Sequence, residues 1–259
     1  MFGLGLQELI ILVIIIGIPT GIIAFTRVLR KSRLKNKEIS NIAGPNSAEN
    51  YAYIDQTVLS KFVKTMLLIS LGVAGLSLLS DIMQINLLSA GSFSRIDAES
   101  NDTRQRIIAL IQLATFVVTG IALLKWICRA NSNCHGLGAQ GMKFTPGWSI
   151  GYYFVPFLNL VRPYQSMKEI YQVSRDPANW QTQLGSPLLG WWWTFWLTSS
   201  ILGRFLLNRS IKSNTIDSLW NYTIMSIASS LIDIALCIIT ISLVKAIHMQ
   251  QERLAAKIA

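Results

Sequence analysis

Ile107 to Leu124 reads IIALIQLATFVVTGIALL, eighteen residues without a charge. At 1.5 Å of rise per residue such a helix covers about 27 Å, close to the roughly 30 Å hydrocarbon thickness of a bilayer. Lys125, Trp126 and Arg129 follow at once, an aromatic and basic anchor of the type found where a span meets the membrane surface. The stretch decides the fold class: an all-α, polytopic helical membrane protein.

Working outward, four more segments carry the same signal. Leu9 to Thr26 is uncharged and contains a kinking Pro19; Thr65 to Ala90 is uncharged except for Asp81. Pro187 to Leu207 opens on Trp191, Trp192, Trp193 and Trp196, an aromatic belt, and Leu219 to Val244 is broken only by Asp233. Before Thr65, Ile54, Val58, Phe62 and Val63 recur at helical spacing and predict a short amphipathic approach helix. Across 259 residues, 51% are hydrophobic and 14% charged, with a mean hydropathy of +0.43. Soluble domains carry about 25% charged residues, so a soluble fold is excluded.

The net charge of +10 is distributed by topology. Arg27, Arg30, Lys31, Arg33, Lys35 and Lys37 stand directly after the first span with no acid among them, which holds that end in the cytoplasm and the N-terminus outside. Arg95, Asp97, Glu99, Asp102, Arg104 and Arg106 lack a charge bias, as suits an external loop. Phe144 to Val161 is uncharged but contains Pro146, Pro156 and Asn159. If it dips in and returns, 17 basic residues lie inside and 6 outside; if it crosses, the split is 14 to 9. The bias favours five transmembrane helices plus one re-entrant or interfacial broken helix, with six spans as the alternative, and a cytoplasmic C-terminus. The chain then divides into 1–37, a first span with its basic flank; 38–60, a polar linker; 61–246, the helical bundle; and 247–259, a tail.

A run of residues between Trp126 and Trp193 is familiar. It comprises Trp126, Arg129, Ala130 and Asn133, then Phe144-x-Pro146-Gly147-Trp148 with Gly151, then FVPFLNLVRPYQ from Phe154 to Gln165, and Glu169-Ile170. Pro156, Asn159, Arg162, Pro163, Tyr164 and Gln165 are its most specific part. The run resembles the bacterial membrane family known as domain of unknown function 4328. The resemblance implies a multi-span protein of the bacterial inner membrane and brings no activity, substrate or cofactor.

Several residues are candidates for chemistry. Asp233 falls near mid-membrane, where a carboxylate costs about 2.5–3.5 kcal/mol on insertion scales; it reads as an ion relay or as a carboxyl fixing packing beside Ser229 and Ser230. Asp81 and Arg204 have matching depths and are expected to form an ion pair. Pro156 frees the carbonyl of Tyr152, and Asn159 offers a donor and an acceptor one turn later. Gly147-x-x-x-Gly151 would admit a close helix neighbour. Arg162, Lys168 and Arg175 read as phosphate-facing anchors for anionic lipids of the inner leaflet. Cys128, Cys134 and His135 supply only three of the four ligands that structural zinc requires, so no metal and no cofactor are expected. Neither a nucleophile with its base nor a phosphate-binding loop is present, and no catalytic residue is assigned.

Three functions follow. The first is a non-enzymatic membrane protein acting through lipid or protein partners, without nucleic acid. The second is a small transporter or channel using the broken segment and Asp233. The third is a lipid-acting enzyme, for which Arg162, Gln165 and Glu169 are the local group.

Overall fold

The computed structural model describes residues 51–210 and 215–258; the expected first span and its basic flank lie outside them. Four long helices and two short ones make up the described chain, and no strand occurs among those residues. They are α1 (Thr57–Ser89), α2 (Arg95–Gly136), α3 (Pro146–Gly151), α4 (Arg162–Arg175), α5 (Pro187–Ser210) and α6 (Ile216–Ile258). Local chemistry sets the starts. Asp55 Oδ1 accepts from Thr57 N at 2.8 Å at the head of α1, and Ser94 with Asp97 forms a reciprocal capping box at the head of α2. Thr145 caps α3, with Pro146 in its first turn.

The long helices run antiparallel. Gln56 Nε2 donates to Gln251 Oε1 (2.7 Å) at one end of the α1–α6 pair, and Gln84 Nε2 donates to Thr223 Oγ1 (2.9 Å) towards the other. Ser199 Oγ joins α5 to Asp233 Oδ1 of α6 at 2.6 Å. Three helices, α1, α2 and α6, are long and apolar enough to cross a membrane. At 42 and 43 residues, α2 and α6 reach about 63–65 Å, twice a bilayer core, so both extend well beyond it.

Polarity is inverted along the apolar stretches. Facing inward are Ser77, Ser80, Asp81, Gln84, Thr119, Thr223, Ser229, Ser230 and Thr240. Facing outward are Leu76, Leu79, Met83, Phe116, Ile121, Ile201, Leu231 and Ile238. A surface of this kind would be strongly unfavourable in water and is what lipid solvates. Dense apolar packing sits instead at the end where α1 begins and α2 and α6 finish. There Val63, Trp126, Ile127, Ala130, Ile170, Val173, Leu243, Val244 and Ile247 are fully buried, with α4 packed against α2 and α6.

One expectation is corrected here. The approach helix is not a separate element, because α1 is continuous from Thr57; Ile54 precedes it, Val58 and Phe62 are exposed, and of that stripe Val63 alone is buried. Within 144–161 the longest helix is the six-residue α3, followed by the 3-10 turns Tyr152–Phe154 and Leu158–Leu160. Six residues rise about 9 Å, so no helix in this segment is long enough to cross.

Candidate functional site

The familiar residues first fasten the chain that enters α1. Trp126 is fully buried and its Nε1 donates to Ser60 Oγ at 2.9 Å. Asn133, also fully buried, holds both backbone polar groups of one residue: its Oδ1 accepts from Ile54 N (3.0 Å) and its Nδ2 donates to Ile54 O (2.9 Å). A side-chain amide thus pairs with the Ile54 backbone as a neighbouring strand would. One turn later, a Cβ on Gly136 would lie 2.6 Å from Tyr53 N, so only glycine permits the approach. Arg129 is half-buried on the same helix.

Gln251 is the centre of this end. Its Nε2 lies within hydrogen-bond distance of Ala130 O (3.0 Å), Ser174 Oγ (3.0 Å) and Cys134 Sγ (3.4 Å), and its Oε1 accepts from Gln56. Cys134 is therefore a packing residue; burial pushes its thiol up to about 12. Sequence reading missed Gln251 and Gln56. The available signal was spacing: Val244, Ile247, His248 and Gln251 continue a helical stripe beyond the apolar run, and all four are buried.

The Phe144–Gln165 segment folds on its own aromatic residues. The Trp148 ring lies over Tyr152 (4.9 Å between centroids), and a Cβ on Gly151 would meet Trp148 at 3.2 Å. Gly151 thus accommodates the segment's own tryptophan, while α3 as a whole packs against α2 and α4. Pro156 stands in the turn between the two 3-10 turns, the Tyr152 carbonyl accepts from Val155 N (3.4 Å), and Asn159 is half-buried. Phe157 has φ +63° and is 85% exposed. With Leu158, Leu160 and Val161, also exposed, it makes an apolar knob. Trp193 Nε1 secures the knob's base by donating to Leu160 O (3.1 Å), and the Trp193 ring stacks on Trp196 at 4.7 Å and lies near Tyr164. Trp192 and Trp193 are buried and Trp191 is exposed, so the tryptophan run is packing as well as belt.

Beside the knob, a cleft of about 270 Å³ is lined by Lys143, Phe144, Arg162, Gln165, Lys168, Glu169, Gln172 and Trp180. Pro163, in the first turn of α4, fixes the helix start that projects Arg162, Gln165, Lys168 and Glu169. Arg162 lies over the Tyr152 ring, and its Nη1 donates to Gln165 Oε1 at 3.1 Å. Glu169 is buried and accepts from Lys143 N and Phe144 N at 3.0–3.1 Å. Burial raises its carboxyl above the usual range, against those two backbone donors and the Lys143 charge, which lower it. A second cleft, about 550 Å³, is lined from α2 alone, between Ile96 and Ile108.

One of the two intramembrane acids is placed differently from expectation. Asp81 is 2% exposed; Gln105 Nε2 donates to its Oδ1 at 3.3 Å, with Arg104 and Ser226 nearby. Arg104 itself holds Ser80 and Asn101. Arg204 is exposed and makes no ion pair with Asp81. The polar head of α2 reaches the acid first, because it continues straight out of a span packed on α1. Asp233 Oδ1 accepts from Ser199 Oγ of α5, a link between helices. No group of three or more metal-ligating side chains occurs among the described residues.

A family model described as domain of unknown function (DUF4328) matches residues 91–249, more than half of the chain. No curated protein and no solved structure matches.

Proposed function

The chain belongs to the domain of unknown function 4328 family, and from that premise we propose a non-enzymatic, multi-span protein of the bacterial inner membrane that works through lipid and protein partners at its basic end. The carrying observation is the inverted polarity of the bundle together with the gathering of cations at one end. Lys61, Lys64, Lys125, Arg129, Lys143, Arg162, Lys168, Arg175, Lys245, Arg253 and Lys257 all belong to segments joined around Gln251 and Trp193. By the positive-inside rule that end faces the cytoplasm. In this reading α1, α2, α5 and α6 cross, the N-terminal apolar run supplies a fifth span, and 144–161 lies in the inner interface with its knob in the headgroup region.

The transport reading has weaker support. Ser199, the partner of Asp233, lies six residues beyond Trp193, about 9 Å of helix rise, so the acid and the Asn159 turn occupy different levels. Neither cleft includes Asp233, Asn159 or Pro156. The lipid-enzyme reading has its residues together, but Glu169 spends both oxygens on backbone donors and no serine, threonine or cysteine lines the cleft.

The test is an environment-sensitive fluorophore on Phe157→Cys, in a background with the native cysteines replaced by alanine, reconstituted in lipid nanodiscs. Interfacial placement gives blue-shifted emission quenched by shallow spin-labelled lipid more than by deep. Emission typical of water contradicts it.

A further inference from the structure

We propose that the cleft formed by Lys143, Arg162 and Lys168 binds the phosphate group of an anionic phospholipid of the inner leaflet; the proposal rests on the interfacial reading above. Three cations from two parts of the chain converge there: Lys143 from the loop before α3, and Arg162 and Lys168 from the first and second turns of α4. None of the three makes an ion pair among the described residues. The one acid in the cleft offsets at most one of the three cations, and both Glu169 oxygens are held by the Lys143 and Phe144 amides, so the cleft keeps a positive excess. Arg162 is oriented in advance by the Tyr152 face and the Gln165 carbonyl, so little rotamer freedom is lost when an anion arrives. The start of α4 adds the positive end of a helix dipole.

Size and surroundings select the ligand class. A volume of about 270 Å³ falls below the roughly 300–1,000 Å³ typical of drug-sized sites, which suits a headgroup. Phosphate chemistry alone would fit a free anion equally well. The knob decides for lipid, because Phe157, Leu158, Leu160 and Val161 are exposed and Val161 directly precedes Arg162. Apolar surface and cationic cleft are therefore contiguous, as an amphiphile with phosphate and acyl chains requires.

The experiment uses the full chain in nanodiscs of phosphatidylcholine doped with phosphatidylglycerol, released into native mass spectrometry to count retained lipid. The wild type is expected to retain phosphatidylglycerol in preference to phosphatidylcholine. Each of Lys143→Gln, Arg162→Gln and Lys168→Gln should weaken retention about fivefold, and all three together on the order of a hundredfold. If the triple variant fails to fold, the single variants carry the test. Unchanged retention in folded variants overturns the proposal. Loss of retention when inorganic phosphate is added at millimolar concentration assigns the site to free anions and also overturns it. The Phe157 probe separates the two readings: a knob in water overturns both, whereas a knob in lipid with unchanged retention overturns the lipid site alone.

Discussion

Replacing Asn133 with alanine removes the partners of the Ile54 N–H and the Ile54 carbonyl at once. The amide makes two bonds, at 3.0 and 2.9 Å, to the chain entering α1. A backbone donor or acceptor left without its partner when buried costs about 1–3 kcal/mol. Ile54 is about half exposed, so water reaches part of this site and each loss falls at the low end. Asn133→Ala should therefore destabilise the protein by about 2–3 kcal/mol. The assay is reversible unfolding in mixed micelles of mild detergent and SDS, followed by far-UV circular dichroism. Asn133→Asp separates hydrogen bonding from volume. At neutral pH its carboxylate keeps the acceptor but turns a charge towards the Ile54 carbonyl, so it should be less stable than the alanine variant. Protonation restores a donor, and the aspartate variant should recover as pH falls. An alanine variant within about 0.5 kcal/mol of wild type, or an aspartate variant indifferent to pH, would refute the clamp.

Three further outcomes follow from the same geometry. Gly136→Ala should destabilise by about 1–3 kcal/mol, since its Cβ meets Tyr53 N at 2.6 Å, whereas Gly120→Ala, with nothing within 4 Å, should be neutral or stabilising; equal effects in thermal unfolding would remove the close-approach argument. Glu169 titrates above its unfolded range because it is buried, so the folded state binds the extra proton and stability should decline as pH rises from the ordinary carboxylate range through the folded value. Glu169→Gln should abolish that decline, and an unaltered pH profile would show that another group causes it. A double-mutant cycle on Asp81→Asn and Arg204→Ala should give a coupling within about 0.5 kcal/mol of zero; a larger coupling would restore the ion pair expected from matching depths.

The long helices are legible in the sequence because lipid imposes a simple rule: an uncharged run of sufficient length is a helix, whatever it packs against. Ile107–Leu124 lies inside α2, and Leu219–Val244 inside α6. Partnership between helices is less legible. Depth matching brought Asp81 and Arg204 to one level, but depth says nothing of rotation about the helix axis, and rotation turns Gln105 towards Asp81 and Arg204 outward. The basic end reads differently again. There the chemistry reverts to that of a packed core: Trp126, which reads in the sequence as a surface anchor, is fully buried, and with Asn133 it makes a hydrogen-bonded lock on the start of α1. Lys143 carries no local signal, and Gln251 carries only its place on a helical stripe beyond the apolar run. Their positions depend on the turns at Gly138 and Gly141, both at positive φ, and on the register of α6 beyond its span.

The central claim is that the signature-bearing end of the bundle faces the cytoplasm and that residues 144–161 do not cross. It is tested most directly by labelling Gln181→Cys and Ser92→Cys, both at exposed positions, with a membrane-impermeant maleimide in cells whose inner membrane is intact. Ser92→Cys should label in intact cells and Gln181→Cys only after the membrane is opened. Labelling of Gln181→Cys from outside would contradict the account.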